Sequence, residues 1–416
     1  MKSERRTLLI CSDSNKDIAD AVSASSVEGV LGLCLLQDMS ADASSLGELP
    51  ASLQTRTMIK PRERYRRSVS VKDVRAQEKA AESTAVPALM NQLSSFVARL
   101  RANDLWFVLD GPTSVRLAHL ALTAGVRTVR VQIPEPPSDW LKAMNVDQRT
   151  ACELLAKHDE LIVRAADVGV GSWSLAADCR TRLGRDPDVI LPWLDTTLAR
   201  APALRSSADV LRVALVGMSA ASPEFFSLVE AMIGLKSDRG WGTVELHVFV
   251  DAASIPVRRE GSLIRIRKAG EGDALIDDLS QMDLLFLSTP FRESAIGEER
   301  QILARLAVYL ASGRPVLFHG PSDSALGRLL RESAAAFFCF REGADAVRAA
   351  IVRNLHQERL YAEIAEGGRK LLEGRFSMQA QGHAIHAFVG RSPKPDVPRH
   401  GDAQMRDAPA RLETAP

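Results

Sequence analysis

Several short polar stretches stand where largely apolar runs end, and their residue types define what chemistry the chain can attempt. Asp110-Gly111-Pro112-Thr113 closes the run 105–109. A carboxylate there either serves as a base toward a hydroxyl or bonds the backbone of its own turn. Gln132 and Glu135 stand at the end of the next run, 126–133, as contacts for a bound molecule. In the second half, Gly217-Met218-Ser219 follows the run 211–216, and Arg292 and Glu293 follow 283–287. His319 and the loop Gly320-Pro321-Ser322-Asp323-Ser324 follow 315–318 and open a helix. Backbone N–H groups at a helix N-terminus attract anions, and an arginine fork grips phosphate. Each feature also has a plainer reading. Gly217 suits a tight turn, Arg292 and Glu293 a solvated pair, Ser324 or Asp323 an ordinary cap, and His319 a loop histidine.

The elements that must position these groups alternate between short apolar runs and helical spacings. Leu89, Leu93, Phe96, Val97 and Leu100 repeat at helical intervals, whereas 105–109 is an unbroken apolar run and 211–216 is broken only by Arg212. Pro223 sits at a first-turn position, and Gly125 and Gly313 follow helices as terminators. Continuous apolar strands alternating with helices imply parallel sheets covered on both faces. The alternation stops over an Ala-, Arg-, Pro- and Ser-rich stretch and then restarts. The expected organisation is an N-terminal Rossmann-like domain over 1–198, a linker over 199–209, a second such domain over 210–389, and a disordered tail over 390–416. The fold class is therefore α/β, with two doubly wound domains facing across a cleft. Ligands in such sheets bind beyond the carboxyl ends of the strands.

Bulk properties remove whole classes of function. A length of 416 residues suits two domains, and a net charge of +1 gives no global field for nucleic acid. Cys11, Cys34, Cys152, Cys179 and Cys339 are scattered, which argues against a zinc site or a disulfide framework. No P-loop, H-E-x-x-H or G-x-S-x-G motif occurs. Gly169-Val170-Gly171-Ser172-Trp173-Ser174 lacks the third glycine of a dinucleotide fingerprint. No cofactor and no metal are expected. No apolar run reaches the roughly 18 residues of a membrane span, so a cytoplasmic protein is expected. Between Lys60 and Lys79 lie eight Lys/Arg against three Asp/Glu, either a solvated loop or a contact with an anionic membrane surface.

The stretches Asp283-Leu-Leu-Phe-Leu-Ser-Thr-Pro290 and Arg305-Leu-Ala-Val-Tyr-Leu-Ala-Ser-Gly-Arg-Pro-Val-Leu-Phe-His-Gly320 resemble the donor domain of group 1 (family 4-like) glycosyltransferases of the GT-B fold. Asp167-Val168-Gly169-Val170-Gly171-Ser172 and the segment from Asp188 to Asp195 are similar to motifs of that family's first domain. The resemblance spans about residues 100–390. It implies a metal-independent transferase moving a sugar from a nucleotide-diphosphate donor to an acceptor hydroxyl, in polysaccharide or glycolipid synthesis. On the donor side it places Gly217, Ser219, Arg292, Glu293, Arg305, His319, Gly320, Ser322 and Ser324. Asp110 would be the catalytic base, and Gln132, Glu135 and Ser172 would face a saccharide or lipid-linked acceptor. Two departures stand out. The family's paired glutamates fall on Arg300 and Val308, and valine accepts no hydrogen bond from a ribose hydroxyl. The basic residue expected after Gly217 is replaced by Met218-Ser219-Ala220-Ala221. A non-catalytic binding or scaffold protein of the same fold, or a nucleotide-sugar epimerase, are the alternatives.

Overall fold

A computed structural model describes residues 6–12, 30–37, 54–59, 84–125, 128–144, 146–204, 209–217, 222–237, 241–250, 263–270, 272–291 and 298–391. Ser219, Arg292, Glu293, the stretch from Lys60 to Lys79 and the tail from 392 onward lie outside these residues.

The first half forms one sheet from β1 (Thr7–Ser12), β2 (Val30–Gln37), β3 (Gln54–Ile59), β4 (Asp104–Val108), β5 (Thr128–Ile133), β6 (Asp167–Val170) and β7 (Asp188–Val189). Its order is β3-β2-β1-β4-β5-β6-β7, and neighbouring strands pair in parallel. Its helices are α1 (Val86–Leu100), α2 (Pro112–Thr123), α3 (Pro137–Ala143), α4 (Gln148–Arg164) and α5 (Trp173–Leu183). Two of these elements have no counterpart in the sequence reading. Strand β3 is a sheet edge whose residues are mostly exposed, with only Met58 buried, so it lacks an apolar run. Helix α3 starts at Pro137, in a stretch whose prolines signal only the end of a strand.

The second sheet contains β8 (Val210–Val216), β9 (Thr243–Val250), β10 (Ile264–Lys268), β11 (Leu284–Ser288), β12 (Val316–His319) and β13 (Ala336–Cys339), in the order β10-β9-β8-β11-β12-β13 and parallel throughout. Helices α6 (Pro223–Ser237), α7 (Asp273–Ser280), α8 (Glu298–Ala311), α9 (Ala325–Glu332), α10 (Ala344–Leu355) and α11 (Glu358–Leu371) connect and follow these strands. The helix expected from Ser322 begins at Ala325, because Ser324 caps it by accepting the Gly327 N–H at 3.0 Å. Strand alternation divides the core. Leu211, Val213 and Leu215 pack with Phe225, Leu228 and Ile351, while Ala214, Leu285 and Phe318 pack with Leu306 and Leu310 on the other face.

The chain then returns to the first sheet. A π-helical turn (Leu372–Phe376) leads into α12 (Met378–Gly390). Leu9, Cys11, Leu33, Leu35, Trp106 and Val108 form one face of the first sheet, and Ile385, Phe388 and Val389 of α12 pack on it. The Phe388 ring meets Trp106 edge-on at 5.4 Å. At the start of α12 the outgoing and returning segments lie side by side through a parallel Leu194–Ser377 bridge. The Leu191 N–H there donates to Gln381 Oε1 at 2.9 Å.

The end of α12 meets a buried charge cluster. Arg130, on β5, is fully buried and donates to the backbone oxygens of Phe388 at 2.9 Å and Arg391 at 2.8 Å. The same guanidinium pairs with Asp167 and stands 3.6 Å from Asp104. Helix C-termini leave carbonyls without intrahelical partners, and a cation there is favourable. Arg130 therefore caps α12 from inside the first sheet.

Candidate functional site

Each sheet reverses its winding at one seam. In the first, successive strands depart from between β1 and β4; in the second, from between β8 and β11. In open parallel sheets a crevice forms at such a seam, beyond the carboxyl ends of the strands.

At the second seam the β8–β11 ladder extends only to Ala214–Leu285. Beyond it the strand ends are tied by two side chains from α8. The Tyr309 hydroxyl accepts the Val216 N–H at 2.7 Å and donates to the Phe286 oxygen at 3.3 Å. Arg305 Nη1 donates to the Val216 oxygen at 3.3 Å. Burial pushes the Tyr309 phenol up to about 12, against the opposing pull of the Val216 N–H and the Arg305 charge. It therefore stays protonated and can donate. Gly217 follows at φ 61°, a left-handed conformation that favours glycine, and its N–H donates to the Phe249 oxygen at 2.9 Å. A Cβ on Gly217 would stand 3.7 Å from Arg305 Cδ.

On the neighbouring strands, a Cβ on Gly320 would approach Thr289 Oγ1 to 2.1 Å, so the chain at the ends of β11 and β12 packs too closely for a side chain there. The loop 320–324 is braced from α9: Arg328 donates to the Asp323 oxygen and Arg331 to the Ser322 oxygen. Ser322 and Ser324 thus sit on a held loop, with Ser324 occupied as a cap. His319 lies inside, 1 % exposed. Its Nε2 is 3.1 Å from the Arg341 oxygen, and Phe291 meets its ring edge-on at 4.9 Å.

At the first seam, Asp110 is half-buried beyond β4. The turn's N–H groups go to Ser114 Oγ, from Asp110 at 3.0 Å and from Gly111 at 3.2 Å. Ser114 Oγ thus holds both N–H groups of the turn. Glu135 is half-buried in the loop after β5. Gln132 is 3 % exposed and shares a strand face with Arg130. Ser172 is buried and caps α5, accepting the Leu175 N–H at 3.2 Å. The structure therefore brings Gly217 and Arg305 together at the second seam, with Gly320, Ser322 and Ser324 on the loop after β12. Gln132, Ser172 and His319 are turned inward.

Tyr309 was not among the sequence candidates. Its signal was its spacing, one helical turn after Arg305 and next to Val308. Val308 is partly buried and packs on the apolar core beneath the sheet.

His319 and His247, which is 2.9 Å from Glu245, are both held below the ordinary histidine value, with burial the first cause in each. A group with a depressed folded-state pKa contributes stability above its unfolded value, about 6.5 for histidine, and that contribution is lost as pH falls toward the folded value. The thermal midpoint is expected to drop as pH is lowered from about 7 to about 5. A His247→Gln/His319→Gln double variant should lose less over the same interval. Equal losses would assign the acid sensitivity to other groups.

No helix among the described residues is long and apolar enough to cross a membrane. No group of three or more His, Cys, Asp or Glu among them could hold a metal ion.

No protein-family model matches the sequence, and no curated protein matches it in sequence. Solved structures are similar in fold. Sucrose-phosphate synthase from Thermosynechococcus elongatus superposes with a TM-score of 0.61 at 11% identity, covering 92% of this chain and 98% of its own. The UDP-forming α,α-trehalose-phosphate synthase from Burkholderia vietnamiensis gives 0.61 at 13% identity, covering 92% and 99%. Anabaena HepE, crystallised in complex with UDP, gives 0.59 at 10% identity, covering 92% and 99%. With both sheets wound in parallel, the seams at β1/β4 and β8/β11, and this likeness over nearly the whole length, the chain has the GT-B fold, two Rossmann-like halves across a cleft.

Proposed function

We propose that the chain is a glycosyltransferase that moves a sugar from a nucleoside diphosphate to an acceptor hydroxyl, with the donor's diphosphate lying over the β8/β11 seam. The observation that carries this reading is Arg305, whose guanidinium reaches the Val216 oxygen beside left-handed Gly217. A guanidinium has five N–H donors, enough to hold a backbone carbonyl and an anion together. The braced loop 320–324 opens α9 toward the same end of the sheet, where a helix N-terminus favours phosphate. The complex of HepE with UDP supports a nucleotide donor in a protein of like fold. In this reading Asp110, at the seam of the first sheet, takes the acceptor's proton. Ser219, Arg292 and Glu293 belong to the loops after β8 and β11 in this reading, and a saccharide or lipid-linked acceptor would approach from the first sheet.

Calorimetric and thermal-shift titration with UDP, GDP, ADP and their sugars tests the reading. Saturable binding with a concentration-dependent rise in midpoint is expected for one base. A well-folded protein that binds none of them would favour the second reading, a non-catalytic binding protein of the same fold. The apolar packing of Val308, where the resemblance to group 1 glycosyltransferases places a glutamate, is the observation on that side.

A further inference from the structure

The Tyr309 hydroxyl occupies an unusual place. Two parallel strands that diverge at a winding reversal leave backbone N–H and C=O groups facing a widening gap, and buried groups of this kind need partners. Here the ladder ends at Ala214–Leu285, and one phenol meets the next N–H on β8, that of Val216, and the next C=O on β11, that of Phe286. The Val216 oxygen is taken by Arg305 from the same helix. Both backbone groups of the residue before Gly217 are therefore set by α8, and α8 itself follows the loop after β11.

Resting on the donor reading above, we infer that Tyr309 is a positioning residue for the nucleotide site, a wedge whose hydroxyl holds β8 and β11 apart and fixes the backbone from which Gly217 meets the donor's phosphates. Without the hydroxyl, the Val216 N–H and the Phe286 C=O lose the partner they share, and the backbone that sets Gly217 in its left-handed conformation loosens. The ring does not touch substrate; its effect passes through Val216.

A matched control lies in the same half of the molecule. Tyr361 is also buried and its hydroxyl donates to the Asp283 oxygen at 2.7 Å, at the N-terminal end of β11, the end away from Gly217. Tyr309→Phe and Tyr361→Phe each delete one buried phenol hydroxyl, so their stability losses should be alike. Titration of the wild type and both variants with UDP, GDP and ADP separates the roles. Tyr309→Phe is expected to weaken nucleotide binding about tenfold, while Tyr361→Phe binds as the wild type does. Hydrogen exchange gives a second reading without nucleotide: the Val216 amide should be protected in the wild type and lose that protection in Tyr309→Phe. Wild-type binding with equal affinity in Tyr309→Phe overturns the positioning role and leaves the donor reading intact. Equal weakening in both variants also overturns it, by assigning the loss to general destabilisation. Absence of nucleotide binding to the wild type overturns both.

Discussion

Replacing Arg130 with alanine is expected to destabilise the protein by about 3–5 kcal/mol, because one change removes the buried cation beside two buried carboxylates and uncaps a helix. Asp167 and Asp104 have side chains only 3 % and 6 % exposed, and Arg130 is the guanidinium beside both. Its deletion also removes the donor to the last carbonyls of α12. Urea unfolding followed by tryptophan fluorescence would read the change, since Trp106 lies under Phe388. Arg391→Ala is the comparison. Its ion pair with Asp188 at 2.6 Å is 44 % and 24 % exposed, and a pair of that kind contributes about 0–1 kcal/mol. A loss below about 1 kcal/mol in Arg130→Ala would mean that the cluster contributes no more than a surface pair.

Arg305→Ala carries the largest expected effect on function. A charge-assisted hydrogen bond to a bound anion contributes about 1.5–3 kcal/mol, so nucleoside diphosphate binding should weaken roughly 10- to 100-fold. Arg305→Lys should recover part of this, because lysine keeps the charge and loses the planar fork that can serve the Val216 oxygen and a phosphate together. The nucleoside lacking its phosphates should bind both variants as it binds the wild type. An unchanged diphosphate affinity in Arg305→Ala would remove this residue from the site.

The legible part of the fold was the part whose signal is local. Runs such as 105–109, and 211–216 with only Arg212 breaking it, are apolar because their strands are covered on both faces, and that pattern reads directly as a parallel sheet. Strand β3 was not legible, because an edge with one buried residue carries no apolar run. For the site, the loops were found from glycine and polar residues at strand ends, which is how Gly217 and the 320–324 loop were recognised. Which way a side chain points at a strand end depends on parity. Gln132 and His319 look accessible in sequence, yet the pleat turns both inward. Tyr309 was hidden for a related reason: nothing local tells which helix face meets the gap between two diverging strands.

The return of α12 to the first sheet bears on how the molecule is made. The face built from Leu9, Leu33, Leu35, Trp106 and Val108 is closed by residues that follow the whole second sheet in the chain. During synthesis the ribosome must travel from Val189, the end of β7, to Met378 before the covering helix starts to emerge. At about 5–20 residues per second that interval lasts roughly 10–40 s. The half that is translated first is therefore completed last. Through that time its apolar face is a natural surface for a chaperone, and an N-terminal fragment made alone would carry it permanently.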